Sequence, residues 1–294
     1  MIYIVYTVLF FNLLIIIFKF FEKYKVDNLQ ALIINYFTAA ACGYFSLKFS
    51  LKDDYLLSYV FSAPWVYYSI LIGFIFIVVF NFYAYGTQKV GIAVTTIANK
   101  MSLIIPVCLA LILYPDDKIT LFKALGFILA LIGIYLSSTD GGKLKFNKKY
   151  LWLIILVFVG QGISDFLFMH SEPLLINPAE EMKFFITLFL MAGLSGIIIL
   201  IGKSFYSSVK IQAKSIIWGI IFGVPNFFSL YFFLQALSSD TLNKSVIISL
   251  TSIGVVVSSA IIGIVFYREL LSRYNWIGII FALTAIGIIR LFAS

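Results

Sequence analysis

Ten apolar stretches, each long enough to cross a bilayer, occupy almost all of this 294-residue chain, and the last five retrace the first five. Hydrocarbon offers no water to backbone N–H and C=O groups, so a run of about 20 apolar residues is read as a membrane-spanning helix. The stretches fall near 2–21, 29–47, 65–85, 91–113, 121–138, 151–170, 183–201, 215–236, 246–266 and 275–292. Their expected fold class is an all-α integral membrane protein of ten transmembrane helices. A chain that is 62% hydrophobic and 12% charged, with a mean hydropathy of +1.07, does not fit a water-soluble domain. The net charge of +8 needs no nucleic-acid partner. Lys and Arg gather at segment ends, where they suit anionic lipid head groups. The first span starts almost at the N-terminus without a basic leader or small-residue cleavage site, which predicts that it is retained. Cys42 and Cys108 fall inside expected helices, read as packing thiols without metal-ligand spacing. No metal and no cofactor are expected.

The polar segment 139–150 separates residues 1–138 from residues 151–294. A shift of about 152 residues sets Phe82-Tyr83-Ala84-Tyr85 against Leu234-Gln235-Ala236-Leu237 and Gly126 against Gly278. With one inserted residue, Tyr114-Pro115-Asp116-Asp117 lies near Tyr267-Arg268-Glu269-Leu270. The linker is too polar to cross the bilayer, and each half holds an odd number of spans, so the halves are expected to be inverted repeats. That arrangement is typical of secondary transporters, whose site lies near the midplane at the repeat interface.

These features resemble the ten-helix, EamA-type branch of the drug/metabolite transporter superfamily. The similarity rests on the two five-helix halves and on the Tyr/Gln-Ala near the end of each third helix. Further marks are the fourth helix closing on Asp116 or Glu269 and the Gly-containing fifth helix. The resemblance implies that helices 1–4 and 6–9 line a central cavity, that helices 5 and 10 are peripheral, and that transport is export. It also implies residence in a bacterial inner membrane. One departure is that Pro106 of the fourth span has Ser258 or Ser259 as its counterpart. Pro106 and Pro225 are candidate helix break points, or tolerated kinks. Thirteen Lys and Arg lie on the face of the odd-numbered loops and seven on the other, which favours external termini. The resemblance implies cytoplasmic termini, so orientation stays open.

Two ionisable groups lie deep in the spans, Lys100 and Asp165. At 1.5 Å per residue, Lys100 is about 12 Å and Asp165 about 21 Å from the odd-loop face. Such groups are costly in hydrocarbon, so each is a functional candidate. Lys100 reads as an anchor for a substrate carboxylate or phosphate, with Asn99 and Ser102 adding hydrogen-bonding capacity. Asp165 reads as its counter-ion or as a proton carrier. Both also admit a structural ion pair, and Lys100 admits snorkelling. Asn12, the repeat counterpart of Ser164 or Asp165, joins the substrate-binding candidates with Asn226 and Gln161, while Asn35, Asn81 and Gln235 are softer ones. His170 and Glu172 are placed at an interface, and Trp65, Trp152, Trp218 and Trp276 at helix ends as interfacial anchors. The Phe227, Phe228, Tyr231, Phe232 and Phe233 cluster reads chiefly as packing. Small residues at four-residue spacing, Gly126/Ala130 and Gly278/Ala282, permit close helix contact.

Gly193-Leu194-Ser195-Gly196 has the Gly-x-Ser-Gly form of rhomboid proteases. The one histidine, His170, precedes it at a membrane surface, so packing is the better reading and an enzyme is not expected. No phosphate-binding loop suggests ATP-driven pumping. The expected function is secondary transport of a small polar metabolite such as an amino acid or related carboxylate, with a proton as a possible coupling ion and a monomer sufficient. Multidrug or lipophilic-cation efflux is the alternative, and an intramembrane enzyme a distant one.

Overall fold

A computed structural model of the chain describes residues 2–102, 104–106, 109, 121–137, 139–140, 143–144, 148–237 and 244–292. Cys108 and the Tyr114-Pro115-Asp116-Asp117 segment lie outside the described residues. The fold is helical. In chain order the helices are α1 (Ile2–Lys23), α2 (Asn28–Phe49), the short α3 (Leu57–Ser62), α4 (Val66–Lys89), α5 (Ile92–Met101) and α6 (Leu121–Ser137). After a two-residue antiparallel pair, Thr139–Asp140 with Lys143–Leu144, come α7 (Leu151–Ser171), α8 (Pro178–Ser204), α9 (Ala213–Leu237), α10 (Lys244–Tyr267) and α11 (Arg273–Phe292). A described helix lies in each of the ten apolar stretches. Six of them contain spans long and apolar enough to cross a membrane: Ile2–Lys23, Val66–Lys89, Lys148–Ser171, Pro178–Ser204, Ala213–Ala236 and Leu250–Tyr267. These are the helices of a membrane protein.

Local chemistry sets the boundaries. Asp27 caps α2 by accepting from Gln30 N at 3.0 Å, and Asn177 caps α8 by accepting from Glu180 N at 2.9 Å, with Pro178 next. Lys25, Lys52 and Arg268 are the non-glycine residues of positive φ among the described residues, and each follows a helix end. Past Lys25, Val26 N reaches back five residues to Phe21 O in a Schellman turn, whereas past Lys52 and Arg268 a wider turn takes Asp53 N to Leu47 O and Glu269 N to Gly263 O, six residues back. The turn throws an acidic side chain off the helix end in both cases. Pro225 does not break its helix: α9 runs through it from Ala213 to Leu237.

The chain divides into two compact units. Unit 1 holds residues 1–19, 82–163 and 229–294, and unit 2 holds residues 20–81 and 164–228, so each draws on both halves of the sequence.

In unit 1 the most extensive pairing is α6 with α11, and α10 packs on both α5 and α11. Its core joins Ala93, Ile97 and Met101 of α5 to Val256 and Ala260 of α10 and to Ile279, Ala282 and Ile286 of α11. Gly133 lets α6 approach α11 closely, since a Cβ there would sit 2.9 Å from Ala282 N.

In unit 2 the main pairing is α2 with α8. Gly73 lets α4 close on α8, where a Cβ would sit 2.6 Å from Leu188 O. Gly193 and Gly196, the two glycines of the Gly-x-Ser-Gly sequence, face Phe37 and the Ile33/Ile77 pair, as residues of a packing face do. Trp218 stacks on Tyr24, with ring centroids 5.3 Å apart. Trp65 departs from its expected interfacial place. It is fully buried, because its indole N–H donates to Glu180 Oε2 at 2.8 Å.

Candidate functional site

The helix that carries Lys100 is fixed at its start by a carboxylate. Gly91, with φ of 124°, supplies no side-chain cap, leaving the first amides of α5 without intrahelical partners. Glu269, thrown off the end of α10, supplies one: Oε1 accepts from Ile92 N at 2.8 Å and Oε2 lies 3.5 Å from Ala93 N. A carboxylate there also complements the positive end of the helix dipole. Lys19 Nζ stands 4.0 Å from Glu269 Oε1, and the Tyr267 hydroxyl donates to Ile16 O at 3.2 Å, tying α1 to the same corner.

Two turns along α5 the polar residues converge. Asn99 Nδ2 donates to Gln161 Oε1 of α7 at 3.0 Å, and Ser102 Oγ donates back to Asn99 O. The Lys100 ammonium sits 4.2 Å from the ring centre of Phe11 in α1. A cation over an aromatic face is attracted by the ring quadrupole, more strongly where water is scarce. The next residue, Asn12, donates from Nδ2 to Val8 O at 2.8 Å and to Ser258 Oγ of α10 at 2.6 Å. Asn12, Gln161 and Ser258 all lie in the middle portions of their helices. Unit 1 thus gathers, from four helices, the expected candidates Lys100, Asn99, Asn12 and Gln161, together with Ser258. The arrangement offers a cation, amide groups and hydroxyls within one largely apolar body.

Unit 2 holds the other two. Asn226 Nδ2 donates to Asn35 Oδ1 at 3.0 Å, linking α9 to α2, and both side chains are buried. The close approach comes from Gly223, where a Cβ would stand 2.7 Å from Asn35 O. Asp165 is half-buried in α7, beside the buried Ser164.

A charged cluster in unit 2 was not singled out from the sequence. Lys183, only 7% exposed, places Nζ 3.0 Å from Asp53 Oδ2 and 3.6 Å from Glu180 Oε1, over the Tyr59 ring at 4.7 Å. Glu180, 5% exposed, accepts from the Tyr59 hydroxyl at 2.7 Å as well as from Trp65. Nearby, the Tyr55 and Thr187 hydroxyls share a 2.8 Å hydrogen bond. The hydrogen bond from Lys183 holds the Asp53 carboxyl below its ordinary range. Hydrogen bonding to the Glu180 carboxylate raises the Tyr59 phenol above its own. Every charge in this cluster has an opposite partner, so its chemistry is that of a clasp between the segment 53–65 and the start of α8. The available signal was Glu180 and Lys183 at i, i+3 just after an Asn-Pro cap. The partners Asp53 and Trp65 are distant in sequence and carry no such signal.

No protein-family model matches this chain. A protein of Haemophilus influenzae, described as an uncharacterized protein, is 29% identical to it over 273 residues, which is 92% of this chain and 91% of that one. A protein known from its crystal structure superposes with a TM-score of 0.60, covering 98% of this chain and 97% of its own, at 16% sequence identity. The likeness is one of fold over the whole length.

Proposed function

We propose that the chain is a secondary transporter of the EamA type. In this reading it crosses a bacterial inner membrane ten times, as two inverted five-helix repeats, and moves a small polar metabolite such as an amino acid or related carboxylate. The observation that carries the reading is the polar set of unit 1. Lys100, Asn99, Asn12 and Gln161 belong to three helices of a bundle that is otherwise apolar, and buried polar groups in such a setting persist where they serve a polar cargo.

Packing supports the repeat. The two most extensive helix pairs, α6 with α11 and α2 with α8, each match a span of the first half with the span five places later, and α5 with α10 does the same beside the neighbouring pair α10 with α11. Elements related by a pseudo-twofold axis meet in this way when they lie beside it. In this account Lys100 binds the anionic group of the cargo, Asn99 and Gln161 orient it, and Asp165 carries a coupling proton or balances charge. A monomer suffices for the cycle. Lipophilic cations suit the site less well, because the Lys100 ammonium repels them.

The test is uptake of labelled amino acids and carboxylates into proteoliposomes. Lys100→Ala is expected to abolish uptake in a protein that stays folded, and Lys100→Arg to restore little, since a planar guanidinium fork presents its donors to an anionic group in a different geometry from a compact ammonium. Unchanged uptake in both variants would remove Lys100 from the site.

A further inference from the structure

One polar atom of the unit 1 set, Asn12 Oδ1, has no hydrogen-bond partner among the described residues. Both hydrogens of Asn12 Nδ2 are used, one toward Val8 O at 2.8 Å and one toward Ser258 Oγ at 2.6 Å. The Ser258 hydroxyl hydrogen is directed in turn to the carbonyl of Gly254. Val8 O can only accept, so turning the amide over would set two acceptors against each other, and the network fixes which end is oxygen. Asn12 Oδ1 is then a buried acceptor that no donor among the described residues satisfies, on a side chain only 6% exposed.

The site around it is closely packed: Gly254 lets α10 close on α1, where a Cβ would stand 2.8 Å from Val8 Cγ2. A buried acceptor left open among the described residues of an apolar bundle is a place for a bound donor. The neighbouring residue, Phe11, carries the Lys100 ammonium over its ring, so consecutive residues of α1 bear the open acceptor and the seat of the cation.

We propose that Asn12 Oδ1 reads a hydrogen-bond donor on the transported molecule while Lys100 holds its anionic group. The substrate class is then an acid bearing an amino or hydroxyl group next to its carboxylate, and the matching keto or unsubstituted acids are rejected. A keto oxygen would face Oδ1 acceptor to acceptor, and an unsubstituted carbon would leave Oδ1 desolvated and unpaired. Sites built around a hydrogen bond discriminate strongly against analogues that lack it. This inference rests on the transport reading above.

The experiment uses the full chain in proteoliposomes and two matched series of labelled probes. One is L-leucine, L-2-hydroxyisocaproate, 2-ketoisocaproate and isocaproate; the other is L-alanine, L-lactate, pyruvate and propionate. In at least one series the amino or hydroxy acid is expected to show a KM about tenfold or more below that of the keto and unsubstituted acids. Asn12→Leu is expected to bring the members of that series within about twofold of one another. Uptake of the unsubstituted acid by Asn12→Leu with a KM close to that of the wild type provides the folded control. Equal KM values across a transported series in the wild type would overturn the proposal. So would a tenfold preference that survives Asn12→Leu. A protein that moves none of the eight probes, while remaining folded in the membrane, would instead overturn the transport reading beneath it.

Discussion

At the scale of single residues, the clearest energetic commitment is Lys183. Its ammonium and the Glu180 carboxylate are both almost wholly buried, and each is held by the other and by Asp53, Tyr59 or Trp65. Removing one partner of such a group leaves an uncompensated charge, so Lys183→Met should destabilise the protein by about 3 kcal/mol. Thermal unfolding in detergent reads this directly; a midpoint equal to wild type would mean that the clasp contributes nothing. The more exposed member, Asp53, sets the pH dependence. Lys183 depresses its folded pKa below the ordinary 3.8, so its contribution is fully present above that value and is lost as pH falls through the depressed one. Asp53→Asn should therefore flatten the fall in stability below about pH 4, measured as unfolding midpoint against pH. An unaltered acid limb would assign that fall to other carboxylates. The sequence presented Lys183 only as a charge at a span edge. Its burial depends on Asp53 and Trp65, more than 100 residues earlier in the chain, and no local pattern announces that meeting.

At the scale of elements, the position of α5 decides where Lys100 and Asn99 lie, and Glu269 decides how α5 begins. The carboxylate both accepts from Ile92 N and stands near Lys19, so it serves as a cap whose charge is partly balanced. Glu269→Ala should cost about 1–2 kcal/mol, the range for a lost helix cap aided by the dipole. Glu269→Gln, which keeps an acceptor, should cost less. Chemical or thermal unfolding of the two variants checks the order, and equal losses would show that the cap acts through charge alone. Here the sequence was partly legible. Glu269 stood out as an acidic residue closing a helix, but its role across the unit did not, because the turn of positive φ at Arg268 that redirects it is a matter of backbone conformation. Trp65 shows the same limit. A tryptophan near a helix end suits a membrane interface, yet its indole N–H found a buried carboxylate instead. The glycines were legible in kind, as close-contact residues, whereas their partners were not.

At the scale of the whole molecule, hydropathy alone was enough to read a helical membrane protein, because the lack of water in hydrocarbon leaves few other solutions for so apolar a chain. The interleaving of the two units, with unit 2 built from residues 20–81 and 164–228, was not legible. It depends on which helix faces match, and in a chain apolar on every face that information is carried by scattered glycines and single polar side chains. Three spans pair with the one five places later, as inverted repeats would, and inverted repeats would matter because they allow one site to be exposed to either side in turn. Alternating access makes a specific demand: an unlabelled cargo inside the vesicle must accelerate entry of the labelled one with no ion gradient present. Counterflow in proteoliposomes loaded with one carboxylate or amino acid after another measures this most directly. The account predicts saturable, trans-stimulated uptake for at least one such compound, abolished by Lys100→Ala in protein that remains folded. Flux that does not saturate and is indifferent to internal substrate, or no flux of any tested compound, would contradict it.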